Sequence, residues 1–100
     1  MKKTVVYIAG PITGVPDYKE KFAAAEKRWS ETGLFAVLNP ATLPAGMKPA
    51  QYMSICLPML LSADLVLFLS GWENSGGAKI ERALAEYTGK LILNEGEWEA

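Results

Sequence analysis

A short apolar segment followed by a glycine-rich turn places the tightest limit on how this chain can fold. Residues 64–69 (Asp-Leu-Val-Leu-Phe-Leu) are apolar after the first position, which is typical of a strand buried on both faces. Gly71, Gly76 and Gly77 follow, and they allow the backbone to turn sharply and to approach a ligand. A helical segment comes next. This order predicts an α/β protein with a parallel sheet.

The helix after these glycines carries the most interesting carboxylate of the chain. Its predicted core stripe has i, i+3, i+4, i+7 spacing and consists of Ile80, Ala83, Leu84 and Tyr87. Glu81 lies beside this stripe, and its helical neighbours Ala78 and Ala85 are small enough to leave room for a pocket. The alternative is a solvated glutamate in the first turn, favoured by the helix dipole.

The remaining pattern predicts a single domain over residues 1–100 with alternating strands and helices. The predicted elements are a strand over Thr4–Ala9, a helix from Asp17 to about Thr32, a strand over Leu34–Leu38, a helix from Pro49 that is kinked or broken at Pro58, and a last strand over Lys90–Leu93. Asp17 and Glu20 resemble a capping box. The expected architecture is a three-layer, doubly wound, flavodoxin/Rossmann-like fold with four parallel strands in the order 2-1-3-4.

In such a fold, ligands bind where the strand order reverses, between the carboxyl ends of strands one and three. Gly10 and Pro11 end the first of these strands, and Gly71 and Trp72 follow the other, so we expect them to meet at one crevice. The sequence contains neither a dinucleotide fingerprint nor a P-loop. Asn74 or Ser75 is placed to cap the helix that carries Glu81, and the free amide groups at the start of that helix attract anions.

Charge and composition exclude several classes of function. Ten basic and 11 acidic residues give a net charge of −1, and no basic cluster exceeds Lys2-Lys3, so we expect no nucleic-acid polymer as partner. With no histidine and a single Cys56 there is no zinc-type ligand set, and we expect neither metal nor cofactor, although carboxylates could hold Mg²⁺ weakly. The unpaired cysteine favours a reducing cytoplasm. The longest apolar stretch, residues 55–69, is interrupted and too short to span a membrane.

Several short motifs spread over nearly the whole chain resemble the nucleoside 2-deoxyribosyltransferase-like superfamily. They are Tyr7-Ile8-Ala9-Gly10-Pro11, Asn39-Pro40, Ala63-Asp64-Leu65-Val66, Ser75-Gly76-Gly77-Ala78 before Glu81, Ala85, and Gly89-Lys90. The stretch from Gly71 to Glu81 also fits the G-W-x-x-S-x-G-A-x-x-E signature of a small branch of unknown function that is common in bacteriophage and bacteria.

The resemblance implies a reaction at the N-glycosidic bond of a nucleoside or nucleotide, as transfer or hydrolysis. Glu81 would be the nucleophile that forms a covalent glycosyl intermediate, and Tyr7 would orient it. The implied substrate-binding residues are Gly10, Pro11, Trp72, Asn74, Ser75, Gly76 and Gly77. The resemblance also implies a homodimer or larger assembly, consistent with the broad apolar surface of the helix that begins at Pro49.

Two departures from the superfamily pattern keep a second function open. Active transferases usually carry aspartates where this chain has Ser75 and Cys56, so no acid is evident to protonate the leaving base. The alternative is a catalytically degenerate nucleotide-binding or interaction module that uses the same pocket. The acidic tail, residues 94–100, either frays or reaches a neighbouring subunit through Trp98.

Overall fold

Four parallel strands form one sheet in the order β2-β1-β3-β4 in this computed structural model, which describes residues 2–98. The strands are β1 (Thr4–Ala9), β2 (Phe35–Leu38), β3 (Leu65–Phe68) and β4 (Leu91–Asn94). The helices are α1 (Tyr18–Ser30), α2 (Pro49–Leu61), α3 (Gly76–Tyr87) and α4 (Glu95–Trp98), with 3₁₀ turns at Pro40–Thr42 and Trp72–Asn74. The predicted fold class and strand order are confirmed.

Strand β1 lies in the centre of the sheet, and its side chains alternate between two apolar layers. Val6 and Ile8 pack with Phe22 and Ala25 of α1, whereas Tyr7 and Ala9 pack on the opposite face with α2 and α3. This alternation follows from the period of two along a strand. Tyr7 therefore reaches the layer that contains Glu81 because of its position in the strand.

The start of α1 differs from the expected capping box. Asp17 occupies the N-cap position, but its side chain makes no capping hydrogen bond, and its carboxylate lies 4.0 Å from the Lys21 ammonium. The helix packs on the sheet through Phe22 and Ala25, which are buried, and Tyr18 and Trp29 pack against the same cluster.

The predicted core stripe of α3 is wrong by a rotation of about one residue. Ile80 is 53% exposed and Tyr87 is 91% exposed, while the buried positions of the helix are Ala78, Glu81 and Ala85. Of the larger residues in the predicted stripe, Leu84 does pack against the core as a partly buried side chain. The small alanines bring the helix close to the sheet. Glu81 is thereby carried into the middle of the buried face.

Helix α2 and the carboxyl-terminal segment also differ in detail from the expectation. Helix α2 continues through Pro58 to Leu61 without a break. The tail forms the short helix α4, and Trp98 packs edge-on against Trp29 of the same chain with ring centroids 5.9 Å apart. The described residues do not include 1, 99 and 100. The part of the tail prediction that concerns them therefore lies outside the described residues. Within residues 2–98, no helix is both long and apolar enough to cross a membrane.

The rotation of α3 can be tested with two matched substitutions. Ala85→Leu should lower the free energy of unfolding by about 1–3 kcal/mol, because Ala85 is fully buried and the larger side chain overpacks the interface with the sheet. Ala83→Leu should change it by less than about 0.5 kcal/mol, because that position is exposed. Urea denaturation of both variants measures the difference, and equal losses would contradict the observed orientation.

Candidate functional site

The two glycine-bearing segments predicted to meet at the switch point do lie side by side. The Leu69 amide donates to the Ala9 carbonyl at 2.8 Å, and a Cβ placed on Gly10 would come within 2.9 Å of the Leu69 Cβ. Gly71 has a φ of +91°, and a Cβ there would lie 3.4 Å from the Pro11 ring. Gly10 is therefore required by close packing and Gly71 by its left-handed backbone.

The central feature of the site is a buried contact between Tyr7 and Glu81. The Tyr7 hydroxyl donates a hydrogen bond to Glu81 Oε2 across 74 positions of sequence. Tyr7 is completely buried and Glu81 is 5% exposed. The sequence therefore identified the correct pair, although the catalytic roles assigned to them stay predictions.

Burial changes the acid–base properties of this pair. It raises the pKa of Glu81 from its ordinary 4.5 to about 7, and the hydrogen bond from Tyr7 opposes part of that rise. Burial together with the neighbouring Glu81 charge raises the pKa of Tyr7, so its hydroxyl keeps its proton. Desolvation therefore makes the protonated form of Glu81 accessible near neutral pH.

Tyr7 and Glu81 open onto a cavity of about 590 Å³, which is large enough for a nucleoside-sized ligand. It also includes Gly10 from the end of β1 and Ser75, Gly76 and Gly77 from the start of α3. The Ser75 hydroxyl accepts a hydrogen bond from the Ala78 amide at 3.3 Å and so caps α3, as predicted for Asn74 or Ser75. The amino-terminal end of this helix therefore borders the cavity.

Three of the predicted substrate-binding residues do not line this cavity in the described part of the chain: Pro11, Trp72 and Asn74. Trp72 instead borders a separate cavity of about 380 Å³. Its ring lies 4.7 Å from the Arg82 guanidinium, which also lies 5.0 Å from the Phe68 ring. The Trp72 ring, implied to bind substrate, is therefore in contact with a cation of the same chain.

Sequence reasoning missed the wall of the cavity that comes from α2 and the loop before it. Tyr52, Met53 and Cys56 of α2 line the cavity together with residues of the loop 43–48. The spacing of these α2 residues places them on one face of the helix. We predicted that part of the apolar surface of α2 faces another subunit, and a portion of that surface faces the cavity instead.

Glu81 is the sole Asp, Glu, Lys or Arg side chain among the described residues that line the cavity. Cys56 stands in the cavity where the superfamily usually has an aspartate, and burial raises the pKa of its thiol. Asp64 lies at the opposite end of β3, where its carboxylate accepts a hydrogen bond from the Val5 amide at 3.0 Å. Over residues 2–98 no three His, Cys, Asp or Glu side chains cluster as metal ligands.

Comparison with known proteins links this geometry to a family and a fold. Residues 4–94 match the family described as "Domain of unknown function (DUF4406)". A search of curated proteins finds no match. The fold is similar to that of a 2-desoxiribosyltransferase from Leishmania mexicana, with a TM-score of 0.71, 20% identity and coverage of 91% of this chain and 63% of that one.

The fold is also similar to that of a conserved protein from Enterococcus faecalis V583, with a TM-score of 0.65 and 17% identity over 93% of this chain and 63% of that one. The present chain therefore spans less than two thirds of either solved chain. At these identities the likeness concerns the fold alone, and it agrees with the fold that the sequence resemblance implied.

The raised pKa of Glu81 predicts a specific pH dependence of stability. The folded chain holds this proton more tightly than the unfolded chain, so the stabilisation is complete below pH 4.5 and is lost as the pH rises to about 7. Between pH 5 and 8, Glu81→Gln should therefore gain about 2 kcal/mol in unfolding free energy relative to the parent. Urea denaturation at both pH values measures this gain.

The matched control is Glu73→Gln, which removes an exposed carboxylate from the turn before α3. Its difference from the parent should change little over the same interval. A Glu81→Gln difference that is equally flat would contradict the raised pKa.

Proposed function

The chain belongs to the family described as Domain of unknown function (DUF4406), and we propose that it cleaves or transfers the N-glycosidic bond of a nucleoside or nucleotide through Glu81. The observation that carries this proposal is the buried Tyr7–Glu81 pair at the edge of the 590 Å³ cavity. A carboxylate held by a fixed donor in a largely apolar cavity is suited to attack an electron-poor carbon.

In the first step, Glu81 attacks the anomeric carbon of the sugar. Its Oε2 is engaged by Tyr7, so Oε1 is the oxygen that forms the new C–O bond. The C–N bond breaks and its electron pair leaves on the base nitrogen, which takes a proton from water. A retaining glycosidase uses the same chemistry at an oxocarbenium-like centre.

In the second step, water or the nitrogen of another base attacks the same carbon. The electron pair of the Glu81–carbon bond returns to the carboxylate, and the proton of the attacking group passes to solvent. Water as acceptor gives hydrolysis, and a base gives transfer. Gly76, Gly77 and Ser75 border the cavity at the start of α3, where backbone amides would hold sugar hydroxyls or a phosphate.

One observation favours a second candidate function, a binding module without catalysis. The lining carries no acidic side chain besides Glu81 among the described residues, so it offers no second carboxylic acid to protonate the leaving base. In that case protonated Glu81 would donate a hydrogen bond to a ribose or base. Both functions use the same pocket, and they differ in whether base is released.

Incubation with nucleosides and 5′-monophosphates, followed by chromatography of the free base, separates the two functions. We expect release by the parent, a loss of about 1,000-fold or more in Glu81→Ala, and a loss of about 10–100-fold in Tyr7→Phe. The rate should rise with pH through about 7, as Glu81 ionises. Glu73→Gln is the control and should retain the parent rate.

Intact mass after acid quenching tests the covalent intermediate, because the parent should gain the mass of the sugar. Ligand-induced melting shifts without base release from any substrate would favour the binding module instead.

The free Cys56 is consistent with the sequence-based expectation of a reducing cytoplasm, which stays a prediction.

We also propose that the chain forms a homodimer through the outer surface of α2 and α3. These helices pack side by side, and they expose Ile55, Leu61 and Tyr87 by 38%, 48% and 91%. A surface with so many large apolar side chains is typical of an interaction site.

Multi-angle light scattering should give a dimer for the parent. The double variant Ile55→Ser and Tyr87→Ser should shift toward monomer by at least about tenfold in dissociation constant. The control is Leu34→Ser, which removes an exposed leucine (66%) outside these two helices. A monomeric parent, or equal effects of both changes, would contradict the proposed surface.

A further inference from the structure

The middle of the loop 43–48 is bonded to the side chain of Tyr52 in α2. The Tyr52 hydroxyl donates to the Pro44 carbonyl at 2.6 Å and accepts from the Met47 amide at 3.3 Å. These two hydrogen bonds join one hydroxyl to backbone groups on both sides of Gly46. We call this pair of hydrogen bonds the Tyr52 clasp. Leu43, Ala45 and Met47 are among the residues of this loop that line the cavity.

Both ends of the loop are anchored independently of Tyr52. Before it, the Asn39 side chain accepts from the Ala41 amide at 2.9 Å and donates to Glu26 at 2.9 Å. After it, the Gln51 side chain accepts from the Lys48 amide at 2.8 Å. Removing the Tyr52 hydroxyl would therefore release the middle of the loop while its ends stay in place.

The middle of the loop also depends on a left-handed residue. Gly46 has a φ of +92°, and a Cβ at this position would meet no atom within 4 Å. Alanine here would strain the turn without meeting a neighbouring atom. The loop can thus be loosened in two chemically different ways.

We propose that Tyr52 is a positioning residue that holds the loop 43–48 closed as a wall of the cavity, and that this closure sets the affinity for the ligand. The choice of a nucleoside as that ligand rests on the proposed function. Tyr52 acts through the loop and contributes no group to the reaction.

The chain contains its own reporter of closure, because Cys56 is the single cysteine and lines the same cavity. It is 5% exposed and lies one helical turn after Tyr52. Iodoacetamide reaches this thiol through the cavity, so opening of the loop 43–48 should speed its alkylation. The rate of alkylation by iodoacetamide, at one pH for all variants, therefore measures opening without any ligand.

We expect Tyr52→Phe to raise the alkylation rate about tenfold, as the loss of a clasp made of two hydrogen bonds predicts. Gly46→Ala should raise it by a similar factor. The matched controls are Ser54→Ala, which removes an exposed α2 hydroxyl that donates to the Gln51 carbonyl at 2.9 Å, and Gly89→Ala, which has the same left-handed backbone (φ +72°) and open space. Both controls should label at the parent rate.

The second readout is nucleoside binding by the same variants, at temperatures where their melting curves show them folded. The dissociation constant, or KM where base is released, should rise about tenfold in Tyr52→Phe and Gly46→Ala, with kcat within about twofold of the parent. A general structural defect would lower kcat as well. Amide exchange of Met47 should quicken in Tyr52→Phe.

Unchanged alkylation in both loop variants would overturn the proposal. Faster alkylation with unchanged nucleoside affinity would overturn it too, since closure would then not set affinity. If the parent binds no nucleoside of the panel, the proposed function fails separately, and iodoacetamide labelling still decides whether Tyr52 closes the cavity.

Discussion

The buried hydrogen bond between Tyr7 and Glu81 is the interaction on which the site depends. A carboxyl group removed from water is costly unless a donor compensates it, and Tyr7 is a donor that keeps its proton. Tyr7 is fixed by its neighbours, since it pairs with Leu38 of β2 on one side and Val66 of β3 on the other. The position of the hydroxyl is therefore fixed by a strand that is paired on both sides, and not by a loop.

The same constraint explains the composition of α3. Ala78 and Ala85 lie on either side of Glu81 on the buried face, and their small size lets the helix approach the sheet closely enough for the carboxyl to meet Tyr7. Larger residues there would add apolar burial but move Glu81 away. Ile80 and Tyr87 are turned outward as a consequence, so the exposed apolar surface of this helix follows from the geometry of the site.

Local sequence was sufficient for the fold, and the family resemblance indicated the central pair. The apolar segment 64–69, the glycines after it and the breakers around Gly10 specify parallel strands with a switch point, and Tyr7 and Glu81 are placed there by topology. The rotation of α3 was not predictable in the same way. Periodicity ranked Ile80 and Tyr87 above Ala78 and Ala85 as core residues, because it counts hydrophobicity and not the distance at which a helix must pack.

Trp72 was placed in the ligand crevice, but Arg82 from the following helix lies against its ring. The clasp made by Tyr52 joins a helix to an irregular loop, and no spacing rule links a tyrosine to the carbonyl of a proline eight positions earlier. Such features follow from tertiary packing, which the pattern of a single sequence does not encode.

A cavity whose described lining contains a single carboxyl group limits the chemistry that it can perform. Glu81 cannot be ionised to attack a carbon and protonated to donate to a leaving group in the same step, and its pKa of about 7 makes both forms abundant at neutral pH. A nucleophilic role requires the ionised form and leaves protonation of the base to water. A binding role is compatible with the protonated form, which offers a donor to an acceptor on the ligand. The two functions therefore depend on pH in opposite directions: base release increases as Glu81 ionises, whereas binding through the protonated carboxyl decreases. These opposite pH dependences follow from the burial of Glu81 beside Tyr7. They therefore distinguish an enzyme from a binding module.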